Sequence, residues 1–202
     1  MERKCLFTFD NFVISRMELN EILCRIYPLP TESLNEIINN TNRLEVKKGT
    51  MLIEADKICH YVYFISKGIT RAFCCTKGRD ITFWIGEEGT VALSMQSYIN
   101  GLPGYESIVT LEDSVVYRIS IENLHNLYQQ DIHLANWGRV FAEKEILRAE
   151  KALIPQLFTT GRERYEQLLR EQPHLLNRIP LENLASFLGM TPVSLSRIRS
   201  KL

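Results

Sequence analysis

The sequence carries no excess of either charge, no apolar run long enough to cross a membrane and no even set of cysteines. Lysines plus arginines number 24, as do aspartates plus glutamates, so no global field points to nucleic acid or to a membrane surface. No apolar stretch approaches the roughly 20 residues that span a bilayer, and no basic-then-apolar segment opens the chain. These absences predict a cytoplasmic protein with no membrane partner. Cys5, Cys24, Cys59, Cys74 and Cys75 are odd in number and irregularly spaced, which argues for reduced thiols rather than a disulfide framework. Adjacent on a strand, Cys74 and Cys75 would point to opposite faces, as packing residues rather than joint metal ligands. His60, His125, His133 and His174 are scattered without metal-ligand spacing. That removes a metal centre and, with it, a cupin-like metal enzyme, so no catalysis and no cofactor are expected. Internal repeats and low-complexity stretches are absent as well.

What is present is organised. With 202 residues, 45% of them apolar, the chain can build one domain of ordinary size and a small second one. Helical periodicity runs from Arg16 to Tyr27 and from Thr31 to Asn40, with Thr31 a candidate cap. From Leu44 to Ser120 the pattern becomes short runs of β-branched and aromatic residues ("YVYFIS", "DITFWI", "SVVYRIS") punctuated by glycines. Many short strands with turn signals and no intervening helices predict an antiparallel sandwich or roll. Ser120 can cap a short helix to about Gln129, and Asp131 opens a helical run to about Phe158, roughly 40 Å long at 1.5 Å per residue. Val140, Leu147 and Ile154 recur every seven residues, with Ile146 and Leu153 beside them and Lys144 and Lys151 on the other edge. Such a seam suits a partner helix; a helix lying on its own roll is the alternative.

The C-terminal piece is slightly basic, a net of +3 from Gly161 onward against −3 before it. In "LENLASFLGMTPVSLSRIRSKL", Leu184, Ala185 and Leu188 share one helical face, and Gly189 can turn the chain with positive φ. Thr191 can cap a second helix with Pro192 at its first position and Leu195, Ile198 and Leu202 facing inward. Two short helices about a glycine turn make a helix-turn-helix. Its outward residues are Val193, Ser194, Ser196, Arg197, Ser200 and Lys201, small hydroxyls and cations of the kind a DNA major groove accepts. A hairpin that only completes a fold, or makes protein rather than DNA contacts, is the competing interpretation.

With these pieces in order, the chain resembles the Crp/Fnr family of bacterial transcription regulators over about Leu19 to Leu202. The most specific matches are "VYFISKG" (Val62 to Gly68), "TTGRERYEQLL" (Thr159 to Leu169) and the helix-turn-helix. The resemblance implies an α+β chain. Residues 1–130 would form a cyclic-nucleotide-binding-like jelly roll with N-terminal helices, 131–160 a dimerisation helix bearing Val140, Leu147 and Ile154, and 161–202 a DNA-binding domain. It further implies a homodimer on a two-fold-symmetric double-stranded operator, contact with RNA polymerase, and a small-molecule effector. DNA-contacting positions would be Thr191, Val193, Ser194, Ser196, Arg197, Ser200 and Lys201.

The departures concern the effector. Family members that bind cyclic AMP hold it with a Gly-Glu pair and a later Arg. "IGEEG" (Ile85 to Gly89) looks like the first piece, yet spacing from Gly78 puts the glutamate's place at Ser94. The arginine's place falls in "GLPGYES", which has Gly104, Tyr105, Glu106 and Ser107 but no cation; an acid there repels phosphate. Nor does the long helix have a Ser or Thr between Leu147 and Glu150 to hold an adenine. The expected pocket is degenerate, at Ser94, Gly104, Tyr105, Glu106 and Ser107, and its effector is not cyclic AMP. Pro192 and Val193 stand where cyclic-AMP-receptor-like members present an Arg and a Glu, so the operator should differ from theirs. The sequence also ends where relatives continue into a β-hairpin wing.

Overall fold

The computed structural model describes residues 16–76 and 78–201; Cys5 and Leu202 lie outside the described residues. Two short helices come first, α1 (Leu19–Ile26) and α2 (Thr31–Asn39). Helix α1 starts three residues later than its periodicity suggests, where the Glu18 N–H donates to the Glu21 carboxylate at 2.9 Å. At α2 the cap is Pro30, not Thr31: the Pro30 carbonyl accepts the first helical bond, from Leu34 at 2.9 Å, and Thr31 is already helical.

Eight strands follow among the described residues: β1 (Asn42–Val46), β2 (Met51–Ile53), β3 (Tyr61–Lys67), β4 (Thr70–Thr76), β5 (Arg79–Gly86), β6 (Val91–Ala92), β7 (Ser107–Thr110) and β8 (Ser114–Ser120). They form two four-stranded sheets, β1-β8-β3-β6 and β2-β7-β4-β5, and every pairing is antiparallel. This is the sandwich-like roll the strand pattern predicts, with a short helix α3 (Met95–Asn100) inserted after β6. Strand β3 is apolar almost throughout because both its faces are covered. Tyr63 and Ile65 turn into the core between the sheets, whereas Val62 and Phe64 turn toward the helices.

Gly68 ends β3 at φ 111°, and a Cβ there would stand 2.1 Å from Ser114 Oγ and 2.7 Å from Ser114 Cβ. Positive φ and a close neighbour both demand glycine. Gly68→Ala should therefore cost about 2–3 kcal/mol, read by chemical unfolding, through combined strain and overpacking. A loss under about 0.5 kcal/mol, the range of a neutral surface change, would show that the turn simply relaxes.

Helix α4 (Ile121–Gln130) is capped by Ser120, whose hydroxyl accepts from the Asn123 N–H at 3.1 Å. Asp131 caps the 27-residue α5 (Ile132–Phe158), accepting from His133 at 2.7 Å. The first half of α5 is anchored on the protein's own core. Trp137 is fully buried, donates its indole N–H to the Leu23 carbonyl at 2.9 Å and stacks on Phe141 at 5.6 Å. Lys144 Nζ then donates to the Arg25 and Ile26 carbonyls, a cation at the C-terminus of α1. Past that point the apolar side chains are uncovered: Ile146, Leu147, Leu153 and Ile154 are all exposed. Val140, at the seam's start, is half-buried.

The C-terminal unit is α6 (Gly161–Glu171), α7 (Leu175–Arg178), α8 (Leu181–Phe187) and α9 (Pro192–Arg199). Its core of Leu168, Leu175, Leu184, Ala185 and Leu195 merges with Ile69 and Leu111 of the roll. A polar seam surrounds that cluster. Arg178 donates to Glu88 at 2.7 and 3.0 Å and also to Glu112, while His174 meets Glu87 at 2.5 Å. Ser186 Oγ accepts from the Thr82 N–H at 2.8 Å, and the buried Arg71 reaches Asn183 at 2.9 Å and Asp80 at 3.0 Å.

Candidate functional site

Two surfaces stand out, a cavity beside α5 and the outer face of α9. The cavity, about 370 Å³, lies between the roll and the second half of α5. Strand β5 contributes Phe83 and Trp84, the segment after it Val91, Ala92, Leu93 and Met95, and α5 contributes Glu145, Arg148, Ala149, Ala152 and Leu153. Such a volume suits a small ligand, and its walls are mostly apolar.

The five positions expected in this pocket separate. Tyr105 and Glu106 line it. Ser94 is fully buried but caps α3, its hydroxyl accepting from Ser97 at 3.4 Å, and Ser107 Oγ accepts from the Ala55 N–H at 3.0 Å. Those two hydroxyls hold backbone rather than line the cavity. Gly104 joins the set by its bareness, since a Cβ there would lie 2.3 Å from Ser94 Oγ and 2.8 Å from Glu106 Oε1. Glu106 is 5% exposed, and its Oε1 has no hydrogen-bond partner among the described residues. Nearby, burial pushes the Cys59 thiol pKa up and the charge of Glu106 adds to the rise. Burial likewise raises Glu145, against the pull of Arg148, which it meets at 3.4 Å.

Sequence reasoning placed the stretch of the long helix between Leu147 and Glu150 at the pocket, and Arg148 and Ala149 line it; it missed Glu145, Ala152, Leu153 and the aromatic pair of β5. The adjacent "FW" was a usable signal, but which face of the strand met a cavity depended on a helix about 60 residues away. Glu87 and Glu88 of "IGEEG" face His174 and Arg178 at the seam. Cys74 is half-buried and Cys75 exposed at the open end of β4, so Cys75 has no packing role. No cluster of metal-ligating side chains occurs among the described residues.

On α9, Thr191 occupies the cap position, with its hydroxyl accepting from the Ser194 N–H at 3.1 Å and lying 2.9 Å from Ser194 Oγ. Ser200 Oγ donates to the Arg197 carbonyl at 3.0 Å. Three of the expected contact hydroxyls are thus engaged in shaping the helix ends. Leu195 is fully buried and fixes the helix on the C-terminal core, leaving Val193, Ser196, Arg197 and Lys201 exposed on the outside. Arg197, Arg199 and Lys201 form no ion pair among the described residues. Gly189 makes the α8–α9 turn at φ 67°.

The family model of the cyclic nucleotide-binding domain matches residues 43–131. The chain is similar in fold to FixK2 from Bradyrhizobium japonicum, at 19% identity and a TM-score of 0.71, covering 80% of this chain and 84% of that one. It is similar also to a protein assigned to the crp/fnr family of transcriptional regulators from Eubacterium rectale, at 18% identity and a TM-score of 0.70, covering 88% and 87%. A third likeness is CLP, a c-di-GMP-responsive global regulator from Xanthomonas campestris, at 15% identity and a TM-score of 0.68, covering 85% and 91%. No curated protein matches the chain by sequence. No helix among the described residues is long and apolar enough to cross a membrane.

Proposed function

We propose that the protein is a homodimeric, sequence-specific DNA-binding transcription regulator of the Crp/Fnr type whose roll takes an effector other than a cyclic nucleotide. The observation that carries this reading is the outer face of α9, where an apolar residue, a hydroxyl and cations project from a helix held in place by the buried Leu195. Val193, 60% exposed, can meet a thymine methyl, and Arg197 can form a bidentate contact with guanine. Lys201 and Arg199 supply phosphate neutralisation. The exposed half of α5 supports the dimer, and the like-shaped regulators supply the precedent of fold. Against a cyclic nucleotide stands the charge of the cavity: Glu106 and Glu145 against Arg148, which is already paired.

Selection of a random duplex library on the purified, ligand-free protein tests the reading. Enrichment of a two-fold-symmetric site with half-sites about 34 Å apart is expected. Binding with no salt dependence, or none at all, would overturn it in favour of a protein-contact hairpin. Within an enriched site, Arg197→Ala should cost about 1–3 kcal/mol and relax preference at one base pair per half-site. Equal losses on specific and random duplexes would make Arg197 a phosphate contact.

A further inference from the structure

The cavity beside α5 contains an unusual combination. Its walls are largely apolar and aromatic, yet they include Glu106, a carboxyl group buried to 95% whose Oε1 has no hydrogen-bond partner among the described residues. A buried acceptor left without a donor costs more than the hydrogen bond would return, so such a group in a native cavity calls for a partner. Among the described residues there is none. Arg148, the cationic side chain in the lining, is 3.4 Å from Glu145 on the next turn of its own helix. The lining therefore sets two carboxyl groups against one cation, a balance that disfavours an anion and favours a cation in a site with little water.

The aromatic residues add to that preference. Trp84 lines the wall, and Phe83 and Tyr105 lie 6.1 Å apart between ring centres at an exposed edge. Ring faces stabilise a cation that passes over them or stays among them. At Gly104 the bare backbone leaves room for the carboxylate, because a Cβ there would sit 2.8 and 3.0 Å from its two oxygens.

We propose that this cavity binds a small apolar amine, with the ammonium received by Glu106 and the apolar body held against Phe83, Trp84, Leu93 and Ile108. The inference rests on reading the cavity as the effector site and names the chemical class of that effector. A positively charged head, a ring or short hydrocarbon body and no acidic group are the features the walls select.

The test uses the full chain and three probes of matched shape: 2-phenylethylamine, 2-phenylethanol and 3-phenylpropionate. Binding is followed by calorimetry and by fluorescence of Trp84, one of two tryptophans in the chain, with Trp84→Phe to show that the signal comes from the cavity. The expected ranking is amine over alcohol by at least tenfold, with no binding of the carboxylate. Glu106→Gln should erase the amine's advantage, bringing amine and alcohol to equal affinity. Equal binding of amine and alcohol, preference for the carboxylate, stoichiometric binding of cyclic AMP, or no binding of any probe would each overturn the proposal. Should Glu106→Gln fail to fold, the ranking on the unaltered protein decides alone. Duplex selection on the same preparation reports separately on the regulator reading, so an enriched operator with no amine binding would sink only the ligand class.

Discussion

Arg178→Ala is expected to release the C-terminal helices from the roll. The Arg178 side chain is 12% exposed and bridges Glu88 and Glu112, which are 13% and 27% exposed. Glu88 also accepts the Gly68 N–H at 2.7 Å. Removing the guanidinium leaves two carboxylates in a half-dry seam with no cation, and breaking such a pair costs about 3–5 kcal/mol. Proteolysis should then cut near Gln172–His174, and thermal unfolding should split into two steps. A single transition at the original temperature would show that the apolar cluster around Ile69 and Leu184 holds the unit unaided. The pH dependence separates loss of charge pairing from loss of packing. Burial alone would raise Glu88, but its bonds to Arg178 and to backbone N–H groups win, and its pKa lies below the ordinary carboxylate value. Its contribution is therefore complete above the unfolded value, about 4.3, and is lost as pH falls through the lower, folded value. In Arg178→Ala, Glu88 loses the guanidinium and burial, the largest influence on it, is opposed only by its backbone N–H bonds, so its pKa moves upward. The variant should gain stability on mild acidification, over the range where the original protein has lost nothing.

Arg178 also marks the limit of what the linear pattern carries. Apart from the cap of α2, caps and turns were legible because their partners are two or three residues away: Ser120 with Asn123, Asp131 with His133, Thr191 with Ser194, and Gly189 at its own positive φ. Strand content was legible from β-branched runs. The two-residue β6 and the helix α3 were not, because each is too short to show a period and exists through pairing with β3 and packing over the roll. Arg178, by contrast, is 90 residues from Glu88 and 66 from Glu112, and nothing near it in the chain distinguishes it from a solvated arginine. Arg71 was hidden in the same way: it sits in a strand, yet its guanidinium lies over Phe73 and reaches Asn183 of α8. At the cavity, the acid at Glu106 and the lack of a cation around it were visible as local facts. That Glu106 would be left without a partner depended on where α5 passes, and on Arg148 being taken by Glu145.

The second half of α5 is where the largest functional loss should follow from two substitutions, Leu147→Glu with Ile154→Glu. In the single chain, Ile146, Leu147, Leu153, Ile154 and Leu157 are 68%, 50%, 58%, 47% and 65% exposed. A monomer would keep this continuous apolar stripe in water, whereas a second copy laid along it buries the seam on both helices at once. Two carboxylates per helix, set one heptad apart, would have to be buried unpaired in that seam. The expected product is a monomer by sedimentation, folded as before because neither side chain contributes to the protein's own core. Its affinity for the enriched two-fold operator should fall by about 10²–10⁴, the factor that linking two binding units confers. Its affinity for an isolated half-site should be unchanged. That split is the diagnostic point: a double variant that still sediments as a dimer would place the interface elsewhere, and equal losses on half-site and full operator would mean that α5 supports the orientation of α9 rather than the pairing of two copies.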